Sequence, residues 1–339
     1  MKDLFFMLEL KVSRSIGYIR QASELYSLPF VLGFSGGKDS TVTLSLLLKA
    51  KEQGAKIRRL YVAYADTLLE HPVLHREALE ALESLRGIEG VEPVVLKPAE
   101  GEDYVSMILD KGYPAPSWYF RWCVDRLKIR PVKRFMNKIG RAVRVLGVRA
   151  DESSVRMRTT EIKGKRPAIV SGKSPTLRPI IDWTESDVVE YLKAERRWDG
   201  KSFDYLISLY GYEIEDACAP NVFCPARIRV KEGATAYTSV RFGCWVCTVV
   251  KRNKMPVDQV LEEVRERIKA VSDNPKNRIF VDGKPRKLNA EARKEIAKLL
   301  LHALDRKPDA FGYDPVALRL KLEGFLARAE QGSAPAQRY

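Results

Sequence analysis

The sequence predicts an α/β fold in which helices cover both faces of a parallel sheet. To about residue 198, short apolar runs alternate with longer segments of helical periodicity. This alternation is typical of parallel sheets, whose strands are buried on both faces and therefore form nearly continuous apolar runs. The chain has 339 residues, of which 45% are hydrophobic, so it can bury a sizeable core. This length favours two domains, or one α/β domain with an appendage.

Six short apolar runs predict the strands, and amphipathic segments between them predict the helices. The predicted strands are residues 28–34, 57–67, 91–98, 141–148, 168–171 and 177–181. The predicted helices are residues 3–26, 38–53, a segment that follows the second strand and ends near residue 86, 102–111, 125–139 and 184–194. The last helix opens on Thr184 with Asp187 three residues on, which is a capping-box pattern.

The pattern changes after about residue 198, and we therefore place the α/β domain at residues 1–198. Residues 199–255 hold four cysteines with interleaved glycines and prolines, which predicts a metal-binding segment. Residues 256–330 carry three amphipathic patterns and are predicted to be a helical C-terminal region. The tail, residues 331–339, is predicted to be disordered.

Composition argues against several classes of protein. No run of 18 apolar residues is present, so no membrane-spanning helix is expected. The N-terminal stretch contains acidic residues and lacks a small-residue cleavage site, so we predict a cytoplasmic protein. Three histidines make a multi-histidine metal site a poor prediction, and 11 Asn and Gln among many charges resemble thermophile usage.

The net charge of +15 is concentrated in one stretch. Residues 121–178 contain 17 Lys and Arg against four Asp and Glu. A basic surface attracts polyanions, which can be nucleotides, nucleic acid or anionic lipid; a solvated Lys- and Arg-rich face is the alternative. We predict a nucleic-acid partner, and we expect no membrane partner. Four aromatic residues accompany this charge and either stack bases or pack in a core; they are Trp118, Tyr119, Phe120 and Trp122.

A glycine-rich turn joins the first predicted strand to the second predicted helix. Its backbone N–H groups can approach an anion closely, and the helix N-terminus adds a partial positive charge. The GxxxxGK[ST] and GxGxxG patterns are both absent, so this is neither of the two common nucleotide loops. The predicted phosphate-binding residues are Ser35, Gly36, Gly37, Lys38, Asp39 and Ser40.

Further polar residues follow other predicted strands. Asp66 comes at the end of the second strand, where it can bind Mg²⁺ or a ribose hydroxyl, or cap a helix. Arg149 and Arg156 offer planar forks that suit phosphate, with surface ion pairs as the alternative, and Glu152 can orient either arginine. Trp183 follows an apolar run and is predicted to be buried.

Four of the five cysteines fall within 30 residues, in the spacing C-x5-C-x19-C-x2-C. Four thiolates suit structural Zn²⁺ or a [4Fe–4S] cluster, and the spacing does not decide between them. Cys123 stands apart from the four predicted metal ligands, which are Cys218, Cys224, Cys244 and Cys247.

The turn SGGKDS resembles the PP-loop of the ATP pyrophosphatase superfamily, which includes the PAPS reductases. That resemblance implies an adenine nucleotide alpha hydrolase-like sheet, and ATP with Mg²⁺ as ligand. Further segments resemble the PAPS-reductase branch: Asp66-Thr67, Arg121-Trp122-Cys123 with Leu127-Lys128-Ile129, Gly147-Val148-Arg149 with Arg156, and Pro179 to Asp187. The resemblance implies that Gly147 and Arg149 contribute to the nucleotide site, and it covers about half the chain.

The segment around Cys244 and Cys247 resembles a narrower family, the DndC-type proteins of DNA phosphorothioation. This resemblance implies a [4Fe–4S] cluster, ATP pyrophosphatase activity, DNA rather than tRNA as partner, a cysteine desulfurase as sulfur donor and other sulfur-modification proteins. The expected catalytic residues are Lys38, Asp39, Arg149, Arg156 and Cys123. The alternatives are a sulfonucleotide reductase, a tRNA thiolation enzyme and a non-catalytic nucleic-acid-binding regulator. No cysteine follows Cys247 and no Cys-Cys pair exists, which argues against the reductase.

Overall fold

The protein is represented by a computed structural model that describes residues 2–152, 167–210, 243–249, 257–281 and 283–331. The helices are α1 Lys2–Leu25, α2 Lys38–Glu52, α3 Pro72–Glu83, α4 Tyr104–Leu109, α5 Arg130–Ile139, α6 Glu185–Ala194, α7 Asp204–Leu209, α8 Gln259–Asp273, α9 Ala290–Arg306 and α10 Pro315–Glu330. The strands are β1 Phe30–Phe34, β2 Leu60–Ala65, β3 Val91–Leu96, β4 Val143–Leu146, β5 Ile169–Val170, β6 Thr176–Leu177, β7 Arg278–Val281 and β8 Lys284–Leu288.

The chain forms two compact units, each discontinuous in sequence. The first comprises Met1–Tyr64, Glu77–Val95 and Met136–Arg241. The second comprises Ala65–Arg76, Leu96–Phe135 and Phe242–Tyr339. The predicted boundaries at residues 198 and 255 stay predictions, since most of residues 199–255 lies outside the described ranges, as does the predicted disordered tail beyond residue 331.

The first unit is built on a six-stranded sheet with the order β3-β2-β1-β4-β6-β5. Strand β1 pairs in parallel with β2 and β4, and β4 pairs in parallel with β6. Among the pairings described within this sheet, only that of β5 with β6 is antiparallel. The prediction of an α/β fold with a mostly parallel sheet flanked by helices is therefore confirmed.

Local sequence explains the elements that surround the sheet centre. Strand β2 is buried along almost its whole length, which its apolar sequence LYVAYA requires. Helix α6 begins at the predicted capping box, in which Thr184 accepts from the N–H of Asp187 and the Asp187 side chain accepts from the N–H of Thr184. Trp183 is buried as predicted, and its indole N–H donates to Ser15.

The second unit has a helical core. Helices α4, α8, α9 and α10 pack around apolar side chains, with Trp122 and Trp245 among the buried residues. The three predicted C-terminal helices are present. A hairpin of β7 and β8 joins α8 to α9, and the sequence analysis missed it. Gly283 in this connection has φ +69°, a conformation that favours glycine. Among the residues that are described, no helix is long and apolar enough to cross a bilayer.

Candidate functional site

The predicted phosphate loop connects β1 to α2 in the first unit. Gly36 has φ +71°, and Gly37 is the N-cap residue of α2 in an extended conformation. A glycine cannot cap the helix with a side chain, so the amides of Asp39 and Ser40 in the first turn can be offered to an external anion. The side-chain oxygens of Ser35 and Ser40 lie 3.1 Å apart, and the Ser40 hydroxyl donates to the carbonyl of Gly37 at 2.9 Å.

Lys38 is buried at the start of α2 and has two partners that sequence reasoning missed. Its Nζ lies 3.3 Å from Oε1 of Glu185 and 4.0 Å from the ring centroid of Tyr210. The Tyr210 hydroxyl also accepts from the backbone N–H of Lys38 at 3.3 Å. Glu185 and Tyr210 therefore fix the ammonium group beside the loop. The capping box gave a signal for the position of Glu185, but not for its contact with Lys38.

Arg149 lies after β4 and is 2% exposed. Its Nε is 2.5 Å from Oδ1 of Asp39, and its Nη1 is 2.6 Å from Oδ1 of Asp151. The second carboxylate oxygen of Asp151 accepts from the N–H of Glu185 at 3.2 Å. Arg149 thus holds the loop residue Asp39 and, through Asp151, the start of α6. Arg156, predicted to act with it, lies outside the described residues.

One buried hydroxyl beside the loop lacks a partner. Thr41 is 1% exposed, and its Oγ1 has no hydrogen-bond partner among the residues that are described. Leaving a buried hydroxyl unpaired costs about 1–3 kcal/mol. A phosphate bound at the start of α2 would supply acceptors for such a group, so this hydroxyl fits the predicted ligand.

Gly147 brings the end of β4 against the first turn of α2. A Cβ at this position would meet the carbonyl oxygen of Asp39 and the Oγ1 of Thr43, each at 2.8 Å. The predicted nucleotide-site glycine therefore serves a close backbone approach that holds Asp39 in place.

We expect Gly147→Ala to destabilise the protein, since one clashing atom is helix backbone that cannot move away cheaply. Overpacking of this kind costs about 1–3 kcal/mol. Chemical denaturation measures it as a lower midpoint at unchanged slope. Gly33→Ala in β1 is the matched control, because its Cβ would have no neighbour within 4 Å. Equal midpoints for Gly147→Ala and wild type would contradict the close approach.

Asp66 follows β2 and belongs to the second unit. Its Oδ1 accepts from the N–H of Leu68 at 2.7 Å, and Leu68 has φ +68°, which is unusual for a residue other than glycine. Burial raises the pKa of the Asp66 carboxyl group. The described contacts thus give Asp66 a role in holding the turn at Leu68, and its predicted nucleotide or Mg²⁺ role stays a prediction.

Cys123 and Cys244 both pack against the apolar core of the second unit, and Cys247 lies on the same turn as Cys244. We call the surroundings of these three residues the cysteine pocket. All three are free thiols. Cys244 and Cys247 occupy a turn closed by the N–H of Cys247, which donates to the carbonyl of Cys244 at 3.0 Å. The Sγ of Cys244 lies 3.1 Å from the Oγ1 of Thr67. Sequence reasoning set Cys123 apart from the other cysteines, and only the fold brings it to this pocket.

The three thiols affect the pKa of one buried phenol, that of Tyr104. Burial raises the pKa of Cys123, and charge on Cys247 raises it further. Burial also raises the pKa of Cys244. The phenol of Tyr104 is fully buried, and its pKa is raised by burial and by all three cysteines. Its hydroxyl has no hydrogen-bond partner in the described part of the chain.

Neighbouring residues hold the pocket together. The N–H of Trp245 donates to the carbonyl of Leu69 at 3.0 Å, and its indole N–H donates to the carbonyl of Ala310 at 2.8 Å. Lys128 lies 3.0 Å from Glu70, whose charge is the main cause of the raised pKa of Lys128. A rigid turn with two thiols is a suitable half-site for a metal or cluster.

Two of the four predicted metal ligands, Cys244 and Cys247, lie in the described part of the chain. Within the described ranges, no three Cys, His, Asp or Glu side chains converge as a metal site. Cys218 and Cys224, the other two predicted ligands, lie outside those ranges. The choice between Zn²⁺ and a [4Fe–4S] cluster therefore stays a prediction.

The loop between β1 and α2 lies at the carboxyl end of β1 in a mostly parallel sheet, which is where open α/β sheets bind ligands. The family described as the phosphoadenosine phosphosulfate reductase domain matches residues 29–250, about two thirds of the chain. The chain belongs to this family, which is named for an enzyme that acts on a nucleotide.

Two uncharacterized proteins of Methanocaldococcus jannaschii are similar in sequence. One is 31% identical over 184 residues, covering 54% of this chain and 35% of the relative. The other is 28% identical over 236 residues, covering 67% of this chain and 49% of the relative. The chain thus matches about a third and about half of the length of these relatives.

Solved structures show weaker similarity. A phosphoadenylyl-sulfate reductase of Candida auris, crystallised with phosphate, has a TM-score of 0.36 and 16% identity, covering 51% of this chain and 75% of that protein. An FMN adenylyltransferase of Candida glabrata has a TM-score of 0.40 and 12% identity, covering 62% of this chain and 68% of that protein. Similarity at this level carries no argument about substrate.

Proposed function

We propose that this protein is an ATP pyrophosphatase-type enzyme that adenylates an oxygen of a nucleic acid so that sulfur can replace it. The observation that carries the proposal is the phosphate loop, in which the N-terminus of α2, with the amides of Asp39 and Ser40, lies beside the buried ammonium group of Lys38. The resemblance to DndC-type proteins and the basic stretch of residues 121–178 support a nucleic acid, with DNA favoured over tRNA.

The proposed reaction has two transfer steps. A non-bridging phosphate oxygen of the nucleic acid attacks the α-phosphorus of ATP, the bond from that phosphorus to the α,β-bridging oxygen breaks, and pyrophosphate leaves with the electron pair. Sulfur at the sulfide level then attacks the activated phosphorus, and AMP leaves with the original oxygen. A desulfurase would deliver this sulfur as a persulfide. Before the attack, thiols would supply the two electrons that reduce the persulfide sulfur to the sulfide level, and they would form a disulfide.

The loop residues have distinct roles in this proposal. The first-turn amides, Ser35 and Ser40 bind the departing phosphates, and Lys38 neutralises part of their charge. Glu185, the carboxylate beside Lys38, would hold Mg²⁺, and the bound ion would supply further neutralisation of phosphate charge. Arg149 positions Asp39, and Arg156 contacts substrate phosphate. Cys123 is the proposed carrier of the incoming sulfur.

The proposed cluster ligands are Cys218, Cys224, Cys244 and Cys247. The described half of this set fits, because Cys244 and Cys247 are free thiols on one closed turn. The nearby phenol of Tyr104 has no hydrogen-bond partner among the residues that are described. A bound [4Fe–4S] cluster would supply electron transfer or an iron site for sulfur. Structural Zn²⁺ is the alternative for the same thiols.

Pyrophosphate release from ATP is the test of the proposed activity. We expect the anaerobically prepared protein to release pyrophosphate and to do so faster when DNA is present. Release of pyrophosphate only with tRNA would favour the tRNA thiolation alternative. Reduction of a sulfonucleotide without pyrophosphate release would overturn the proposal in favour of a reductase.

We expect nucleic-acid binding to be strongly salt-dependent. Each neutralised phosphate contributes about 0.9 to the log–log slope on duplex DNA and about 0.7 on single strands, so about four to seven contacts give a slope of about 3–6. Changing Lys163, Lys165 and Arg166 to glutamate should weaken binding and leave ATP affinity unchanged, because these residues lie outside every nucleotide motif. Fluorescence anisotropy across a salt series measures the slope. Failure of the wild type to bind DNA and tRNA at low salt would contradict a nucleic-acid substrate.

A further inference from the structure

Three consecutive large aromatic side chains are exposed in the second unit. Trp118 is 69% exposed, Tyr119 is 97% exposed and Phe120 is 44% exposed. Exposed apolar surface of this size usually marks a binding site. Trp122, only two residues further on, is buried and belongs to the core. The structure thus separates four aromatic residues that the sequence could not distinguish.

The exposed rings stand on an ordered turn, residues 117–121, which we call the aromatic turn. Ser117 and Phe120 exchange two backbone hydrogen bonds of 3.2–3.3 Å, and the Ser117 hydroxyl also accepts from the N–H of Phe120 at 3.2 Å. Phe120 packs against the ring of Tyr113, with centroids 5.5 Å apart. The backbone of the turn and the ring of Phe120 are therefore held in place, and an ordered backbone lowers the entropy cost of binding.

Buried contacts anchor the chain on both sides of the aromatic turn. The indole N–H of Trp122 donates to the carbonyl of Pro114 at 2.9 Å. The hydroxyl of Thr248, one residue after Cys247, donates to the carbonyl of Pro116 at 2.5 Å. These bonds fix the base of the aromatic turn to the protein core while its tip stays in solvent.

The charge around the turn is complementary to a polyanion. Residues 117–135 contain six Lys and Arg against one acidic residue. Three of these cations pair with Glu102 and Lys128 pairs with Glu70, whereas Arg121 and Lys133 have no ion pair among the described residues. The guanidinium group of Arg121 lies over the ring of Trp118, with its carbon 4.0 Å from the ring centroid. Cores of protein–protein interfaces are depleted of charge, whereas single-stranded nucleic-acid sites combine basic residues with exposed aromatic rings.

We infer that the aromatic turn is a stacking platform for unpaired bases of single-stranded DNA. Bases stack on Trp118 and Tyr119, and neighbouring cations contact the phosphates. Stacking on aromatic rings tolerates any base, so the platform would recognise an unpaired strand and not a sequence. The inference rests on the proposed function, since it assumes that the substrate is a nucleic acid, and it assigns that substrate an unpaired segment at this turn.

Fluorescence anisotropy with labelled oligonucleotides tests the inference. We expect Trp118→Ala and Tyr119→Ala each to weaken binding of a thymidine oligonucleotide of about 20 nucleotides by about 5- to 150-fold, the range for loss of one stacked base. Trp118→Phe and Tyr119→Phe keep a ring and should restore most of the affinity. Phe280→Ala removes an exposed ring elsewhere in the same unit and should leave binding unchanged.

Other probes separate failure of the platform from failure of the proposed function. Two results would overturn the platform alone. Either both alanine variants bind single-stranded DNA as tightly as the wild type, or they lose as much affinity for duplex DNA as for single-stranded DNA. Selective loss of affinity for a uridine RNA oligonucleotide, with DNA binding unaffected, would overturn the assignment to DNA. A change from dimer to monomer in light scattering, with unchanged DNA affinity, would make the turn a contact between copies instead. Absence of any nucleic-acid binding by the wild type would overturn both proposals.

Discussion

Replacing Lys38 and Ser35 together by alanine is expected to abolish measurable ATP binding. Both residues belong to the phosphate loop, and a hydrogen bond to a charged group contributes about 1.5–3 kcal/mol. Loss of both contacts amounts to about 3–6 kcal/mol, or about two to four orders of magnitude in affinity. Calorimetric titration with a non-hydrolysable ATP analogue measures the effect.

The structure also indicates a secondary effect of this double substitution. Removing Lys38 takes away one ion pair of Glu185, whose side chain is 16% exposed. We therefore expect some loss of stability, although the protein should still fold, as circular dichroism would show. Lys49→Ala is the matched control, because Lys49 lies in the last turn of the same helix and pairs with Glu195 instead. ATP affinity within about threefold of wild type in the double variant would remove the phosphate-loop assignment.

Loss of any one proposed cluster ligand is expected to remove the cluster and to destabilise the protein at the same time. Purified without oxygen, the wild type should be brown and contain about four irons per chain. Metal-binding free energy at such sites contributes directly to folding. The four variants are Cys218→Ala, Cys224→Ala, Cys244→Ala and Cys247→Ala, and iron, sulfide and zinc analysis with thermal unfolding measures both effects.

Cys123→Ala is the informative control because Cys123 lies in the same pocket as Cys244 and Cys247. It should retain the full iron content and lose sulfur transfer, as expected for a carrier that does not bind the cluster. Loss of iron from this variant would make Cys123 a ligand and contradict the proposed set. A colourless wild type with one stoichiometric zinc would decide for a structural site.

Local sequence was sufficient for the regular parts of the fold. Strand β1 was recognisable because buried parallel strands are continuous apolar runs. Helix α6 was recognisable from its capping box. The hairpin of β7 and β8 was missed because its strands carry charged residues in both arms and no apolar alternation. Its Asp282-Gly283 dipeptide was the available signal.

The sequence by itself determined the phosphate loop, since six adjacent residues between a strand and a helix carry their own geometry. Only the tertiary structure decided what surrounds them. Glu185 and Tyr210 reach Lys38 from positions far along the chain, and Asp39 is held by Arg149. Pairing across such distances depends on how the strands and helices pack, and no local pattern encodes it.

The same reason separates the cysteines and the aromatic residues. The spacing of Cys244 and Cys247 indicated that they bind the same metal or cluster, because two residues between them allow one closed turn. Tertiary contacts decide where Cys123 lies and why Trp118 and Tyr119 are exposed while Trp122 is buried. These contacts involve Thr248, Pro114 and Tyr104. Residue type sets what a side chain can do chemically, and only packing decides whether it faces the core, a partner or solvent.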